Sequence, residues 1–86
     1  TIDGGSGNDS IIGAGGNDLI FGGLGDDTIS AGGGAESIDG GAGNDLIFGG
    51  LYGSSTISGG SGNDSIIGGE GNDLIFGGFG NDTIQE

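Results

Sequence analysis

Acidic side chains recur in this sequence at one phase of a nine-residue period. From Gly4 the chain divides into nine blocks, of which the sixth, GGLYGSSTIS, has ten residues and the others have nine. The sixth residue of a block is an aspartate in seven blocks: Asp9, Asp18, Asp27, Asp45, Asp64, Asp73 and Asp82. The two exceptions are Glu36 and Ser55. Acids scattered at random would not keep one phase, so these carboxylates share one chemical role.

The rest of the sequence does not support a catalytic role for these carboxylates. The chain has no His, Cys, Lys or Arg, so no base, nucleophile or oxyanion partner of those types stands beside the acids. A phosphate-binding glycine loop is also excluded, because no helix is predicted after the glycines and no cation is present. We therefore expect that the chain is not an enzyme.

Binding of a hard cation suits the acids better. The glycine-rich turns around them leave backbone carbonyls exposed. Because the chain has no His or Cys, the only available ligands are these carbonyl oxygens and the carboxylate oxygens. Ca²⁺ prefers oxygen ligands in flexible geometry, whereas structural Zn²⁺ requires Cys or His. The sequence therefore predicts several Ca²⁺ ions per chain, with the seven aspartates as side-chain ligands. The backbone carbonyls that join them are not assigned.

The charge balance excludes other partners. The chain carries 13 acids and no basic residue, for a formal net charge of −13. Nucleic acid is excluded because nothing can neutralise its phosphates. The longest apolar run is three residues, as in Leu19-Ile20-Phe21, which is too short to span a membrane. No internal salt bridge can form, so metal cations remain the means of holding the carboxylates together.

Each block reads as a glycine turn followed by a three-residue strand. The first six residues of a block are turn formers, and the last three are rich in β-branched and aromatic residues. The eighth residue is always isoleucine: Ile11, Ile20, Ile29, Ile38, Ile47, Ile57, Ile66, Ile75 and Ile84. Side chains alternate across a strand, so this isoleucine faces inward and its two neighbours face outward. Stacked parallel strands ~4.8 Å apart would then align one thin isoleucine core.

The blocks follow the pattern GGxGxDxUx, in which x is any residue and U is a large apolar residue. This pattern resembles that of the RTX, or repeats-in-toxin, family of glycine-rich nonapeptide repeats. The resemblance covers residues 1–86, which we interpret as a single array and as a segment of a longer solenoid. It implies an all-β fold, a right-handed parallel β-roll with two short strands per coil. It also implies Ca²⁺ held between the turns of repeats n and n+2, with the sixth-position aspartates as ligands.

Two repeats per coil would place odd and even blocks on opposite edges. The odd edge would carry an unbroken column and four sites between coils: Asp9, Asp27, Asp45, Asp64 and Asp82. The even edge would carry Asp18, Glu36, Ser55 and Asp73. Glu36 lies in the altered turn AGGGAE, and Ser55, in a turn lengthened at about Tyr52, cannot carry a charge. We therefore expect weak or missing calcium around those two residues.

A longer period of about 27 residues leaves a second architecture open. The strand tails run SII, LIF, TIS, then SID, LIF, TIS, then SII, LIF, TIQ. Such a period is explained either by duplication of a three-block unit or by a triangular coil with three strands. The triangular coil would stack three Leu-x-Phe strands into one outward apolar stripe: Leu19/Phe21, Leu46/Phe48 and Leu74/Phe76.

The sequence supports two functional hypotheses. The first is a calcium-binding structural module of a secreted or cell-surface bacterial protein, which folds on calcium binding and forms a stalk, fibre or matrix element. Self-association, end to end or laterally through the Leu/Phe strands, would suit that role. The second is a folding and export module of a secreted toxin or hydrolase whose catalytic domain lies outside this chain. Both predict an extracellular location, which the resemblance links to one-step (type I) secretion.

Overall fold

The computed structural model describes all 86 residues as a stack of short parallel β-strands without a helix. Strands and glycine turns alternate as the block pattern predicts. The strands are β1 (Ile2–Asp3), β2 (Ser10–Ile12), β3 (Leu19–Leu24), β4 (Thr28–Ser30), β5 (Ser37–Ala42), β6 (Leu46–Phe48), β7 (Thr56–Ser61), β8 (Ser65–Ile67), β9 (Leu74–Phe79) and β10 (Thr83–Gln85).

The strands form two parallel sheets, and each coil of the chain contributes one strand to each sheet. The first sheet has the order β1-β3-β5-β7-β9 and the second the order β10-β8-β6-β4-β2. The register pairs isoleucine with isoleucine, for example Ile20 with Ile38 in the first sheet and Ile29 with Ile47 in the second. The expected β-solenoid with two short strands per coil is therefore confirmed.

The triangular coil with three strands is wrong. Leu19/Phe21 and Leu74/Phe76 lie in the first sheet, separated by the polar strand ends of β5 and β7, whereas Leu46/Phe48 lie in the second sheet. The Leu-x-Phe strands therefore do not form one stripe. The period of about 27 residues does not set the coil. Every block supplies one inward-facing isoleucine, and two blocks complete one coil.

The core is one layer of isoleucine between the two sheets. Its buried members are Ile11, Ile20, Ile29, Ala31, Ile38, Ile47, Ile57 and Ile66, with Ile2 and Ile75 packed against them. The flanking residues of each strand face solvent, as the alternating burial of β2 and β6 shows. One inward side chain per block makes a thin core, so close packing of the backbone itself has to contribute to stability.

The ten-residue block enters the stack as a bulge. Gly33 pairs with Tyr52 as an isolated bridge, while the N–H of Leu51 donates to Gly32 and the N–H of Gly34 donates to Tyr52. Leu51 and Tyr52 thus stand together opposite Gly33, which is the two-against-one arrangement of a β-bulge. The bulge absorbs the extra residue before Ser55, so β7 keeps its register with β5.

Neighbouring turns approach so closely that side chains are excluded at certain positions. Gly41 has a φ of +97°, and a Cβ there would collide with the carbonyl of Gly23 in the preceding coil. Gly5 holds the equivalent position of the first block with a φ of +91°, but a Cβ there would meet nothing within 4 Å. The two glycines share their backbone conformation, but only Gly41 has the turn of a preceding coil packed against it.

We predict that Gly41→Ala destabilises the fold more than Gly5→Ala. Both substitutions incur the cost of a positive φ, roughly 1–2 kcal/mol, and only Gly41→Ala adds a backbone collision. Thermal unfolding of the two variants at one fixed calcium concentration checks this. Equal losses of stability would contradict the close stacking of the turns.

Candidate metal centre

The turns gather the sixth-position residues into two columns on opposite edges. Turns of odd-numbered blocks lead from the first sheet to the second, and their column, which we call the odd edge, contains Asp9, Asp27, Asp45, Asp64 and Asp82. Turns of even-numbered blocks lead back, and their column, the even edge, contains Asp18, Glu36, Ser55 and Asp73. The grouping is the one that two strands per coil predict.

The odd-edge carboxylates form a continuous ladder of hydrogen bonds. The N–H of Asp9 donates to Oδ1 of Asp27 at 2.8 Å, and the N–H of Asp27 donates to Oδ1 of Asp45 at 2.8 Å. The ladder continues from Asp45 to Asp64 and from Asp64 to Asp82 at 2.8 and 2.9 Å. Asp27, Asp45, Asp64 and Asp82 thus each use one oxygen to hold the turn of the preceding coil.

The second oxygen of these carboxylates is buried without a partner. This is the state of Oδ2 in Asp9, Asp18, Asp27, Asp45, Asp64 and Asp73, and of Oε1 in Glu36. Asp27, Asp45 and Asp64 are only 1–2 % exposed. A buried ionised oxygen without a compensating partner is strongly unfavourable. A repeated oxygen of this kind indicates that a cation belongs beside it.

A backbone carbonyl converges on the same place as the unpartnered oxygen. A Cβ on Gly22, the first residue of its turn, would lie 2.5 Å from the carbonyl oxygen of Gly40 and 2.7 Å from Oδ2 of Asp27. We call this space, which only glycine leaves open, a cradle. It recurs along the odd edge at Gly4 with Asp9, at Gly40 with Asp45 and at Gly59 with Asp64. The four odd-edge cradles each join one turn to the next.

The cradles fit Ca²⁺ by the chemistry of their donors. Each brings together a carboxylate oxygen and a carbonyl oxygen from adjacent coils, which are the ligand types that Ca²⁺ prefers. No group of three acidic side chains converges on one point. Ligation at these positions therefore depends on backbone carbonyls as much as on aspartates.

Burial and stacking along the odd edge raise the pKa of two of its carboxyl groups. Burial raises the pKa of Asp45 to about 6, and the negative charges of Asp64 and Asp27 act in the same direction, against the hydrogen bond from the N–H of Asp27. Burial likewise raises the pKa of Asp64, with Asp82 as the repelling neighbour. The column therefore resists holding its full negative charge without a bound cation.

The even edge repeats this arrangement only in part. Asp18 faces a cradle at Gly13 together with the carbonyl of Ala31. Asp73 accepts the N–H of Ser55 at 2.9 Å and keeps an unpartnered Oδ2. Glu36, in contrast, makes no bond with the N–H of Asp18 that would correspond to the odd-edge ladder. The structure thus sets Glu36 and Ser55 apart from the seven aspartates.

A second ladder joins the fifth positions of the odd-numbered blocks. Asn8 Oδ1 accepts the N–H of Asp26, whose own Oδ1 accepts the N–H of Asn44. Asn44 and Asn63 continue the column with bonds of 2.8 and 2.9 Å. The asparagines therefore have a structural role, because their side chains hold neighbouring turns together. Asp26 takes an asparagine's place, a substitution that aligning the fifth positions of the blocks would have revealed.

Comparison with known proteins gives one match. The family model of the RTX calcium-binding nonapeptide repeat matches residues 1–29, 30–51 and 50–84, in four copies. No curated protein and no solved structure matches this chain. None of its segments forms a helix that could cross a membrane.

We predict that acid stabilises the calcium-free coil stack. Because the pKa of Asp45 rises from 3.8 to about 6 on folding, the folded chain binds a proton that the unfolded chain releases. This stabilisation is complete below pH 3.8 and is lost as the pH rises through about 6. Circular dichroism of calcium-free protein across this range checks it.

Asp45→Asn and Asp39→Asn form the matched pair for this titration. Asp45→Asn removes the buried group, whereas Asp39→Asn removes an exposed carboxylate outside the two columns. We expect a shallower pH dependence only for Asp45→Asn. The same profile for both variants would show that general charge reduction, rather than the buried column, is responsible.

Proposed function

Because this chain belongs to the RTX calcium-binding nonapeptide repeat family, we propose that it is a calcium-binding solenoid module that folds on binding Ca²⁺ and serves as a rigid stalk, fibre or matrix element. RTX repeats bind calcium. The observation that carries the proposal is the column of buried, unpartnered Oδ2 atoms that faces carbonyl oxygens of the next coil. Solenoids of such repeats alone are typically non-catalytic.

The proposed side-chain ligands are the seven aspartates. On the odd edge they are Asp9, Asp27, Asp45, Asp64 and Asp82, and on the even edge Asp18 and Asp73. The carbonyls of Gly22, Gly40, Gly59 and Gly77 join the odd-edge cradles. We propose one Ca²⁺ for each odd-edge cradle. Calcium supplies there the positive charge that no side chain of this protein can provide.

Calcium binding and folding are coupled in this proposal. A cradle combines oxygens from two coils, so it exists only after the coils have stacked. The unfolded chain keeps its 13 negative charges apart, and each bound ion offsets two of them. Binding at one cradle aligns the next coil, so we expect cooperative uptake of calcium.

An extracellular working environment follows from the same coupling. Calcium sites of extracellular modules commonly bind at ~10⁻⁴–10⁻³ M, and cytosolic calcium would leave such sites empty. The chain would then stay unfolded and ready for export until it meets calcium outside, which agrees with the secretion typical of this family. The exposed Leu/Phe pairs on both sheets support lateral contacts between copies, such as a fibre needs.

We predict that the chain is unfolded in a calcium chelator at neutral pH and gains its strand signal in millimolar Ca²⁺. The reason is the mutual repulsion of the stacked carboxylates, which calcium removes. Circular dichroism in chelator, followed by calcium titration and calorimetry, measures the transition. A strand signal of equal strength in chelator would overturn the coupling of binding to folding.

We predict that Asp45→Asn raises the calcium concentration needed for folding by at least about tenfold, a loss that even an outer-shell partner can cause in a metal site. Asp45 lies between Asp27 and Asp64, so its loss weakens two adjacent positions. Asp39→Asn removes the same charge outside the columns and should leave the midpoint nearly unchanged. Equal shifts would mean that calcium responds only to net charge.

A further inference from the structure

The contact between the fourth and sixth blocks on the even edge differs from the odd-edge contacts in three residues at once. We propose that Ala31, Glu36 and Ser55 form a metal-free joint, in which hydrogen bonds replace the calcium ion between these two turns. The proposal rests on the calcium-binding function proposed above and specifies where along the solenoid calcium does not bind. Three separate observations support it.

The first observation is that Ala31 fills the cradle. It occupies the first position of its turn, where the four odd-edge cradles have glycine, and it is fully buried in the core. A Cβ at this position in an odd-edge turn would lie within 2.8 Å of both the aspartate Oδ2 and the carbonyl of the next coil. The methyl group of Ala31 therefore occupies the position that the odd-edge glycines leave open for the approach of these two oxygens.

The second observation is the direction of Glu36. Its Oε2 accepts a hydrogen bond from Oγ of Ser55 in the following coil at 2.8 Å. Its Oε1 is buried without a hydrogen-bond partner and lies beside Gly34, the fourth residue of its turn, on the side of the carbonyl of Gly16 in the preceding coil, whereas an aspartate Oδ2 lies beside the first residue. The extra methylene thus carries the carboxylate away from the cradle. Glu36 reaches forward along the solenoid, and the aspartates of the odd edge reach backward.

The third observation is that Ser55 completes the contact without a second charge. It is 3 % exposed; its hydroxyl donates to Oε2 of Glu36 and accepts the N–H of Glu36 at 3.3 Å. Its own N–H donates to Oδ1 of Asp73. A single carboxylate opposite a hydroxyl produces no like-charge repulsion, so the contact between the side chains of Glu36 and Ser55 needs no cation between them. The joint links three successive even-edge turns through Ser55.

The joint predicts that the family pattern can be restored. The triple variant A31G/E36D/S55D reopens the cradle, shortens the acid and supplies the second carboxylate. Native mass spectrometry and equilibrium dialysis at saturating calcium should show more bound Ca²⁺ than in the parent chain, by at least one ion. The triple variant should also need more calcium to fold, because it gains like-charge repulsion.

Two further variants make the test specific. Ser54→Asp adds a carboxylate to the exposed neighbouring residue and should bind no additional ion. Ser55→Ala leaves the buried carboxylate of Glu36 without its hydroxyl partner, so it should lower the unfolding midpoint clearly, while Ser54→Ala should not. Both alanine variants are compared with the parent in the condition where the parent is folded, so this arm holds even if the triple variant fails to fold.

The outcomes separate the joint from the proposed function. A parent chain that folds without regard to calcium contradicts the proposed function, and the Ser55→Ala comparison then decides on the hydrogen-bonded contact alone. A parent that folds with calcium, combined with no additional ion in a folded triple variant, overturns the joint. Equal unfolding midpoints for Ser55→Ala and Ser54→Ala overturn it as well.

Discussion

Repulsion between stacked carboxylates is the interaction on which the rest of this structure depends. The odd edge places five aspartates in one column, and the four after Asp9 are each bonded through one oxygen to the preceding turn. The other oxygen of Asp27, Asp45 and Asp64 is buried without a partner. No basic side chain exists to balance them, and the isoleucine core is one side chain thick. In the proposed function a cation completes the stack, and the raised pKa of Asp45 shows that the column also favours the neutralising effect of a proton.

The glycines follow from the same arrangement. A carbonyl can reach the aspartate of an adjacent turn only where no side chain stands between the coils, as at Gly22 and Gly40. Glycine has a high conformational entropy when unfolded, so a chain this rich in it is costly to order. The closeness that glycine permits is what brings carbonyl and carboxylate oxygens together. Glycine content and the proposed metal dependence are thus two consequences of one packing distance.

Much of the fold could be predicted from periodicity, because a fixed phase means a fixed direction of the side chain. The eighth-position isoleucines gave the core, and the sixth-position aspartates gave the two columns. The direction of Glu36 could not be predicted, since one additional methylene decides whether the carboxylate reaches the preceding or the following turn. Ala31 was also missed as a determinant, because its role depends on what its methyl group meets. Asp26 has a structural bond that charge counting alone does not reveal.

The two edges differ in the repulsion between their turns, because the even edge has the uncharged Ser55 where the odd edge has an aspartate. On the odd edge every contact between turns joins two aspartates, so each requires a cation to be favourable. On the even edge Ser55 meets Glu36 on one side and Asp73 on the other, and neither contact opposes two charges. The even-edge contacts of Ser55 are therefore those with the least like-charge repulsion between turns. In the proposed joint, the turns of the fourth and sixth blocks are held by hydrogen bonds that involve one carboxylate, whereas every odd-edge contact opposes two.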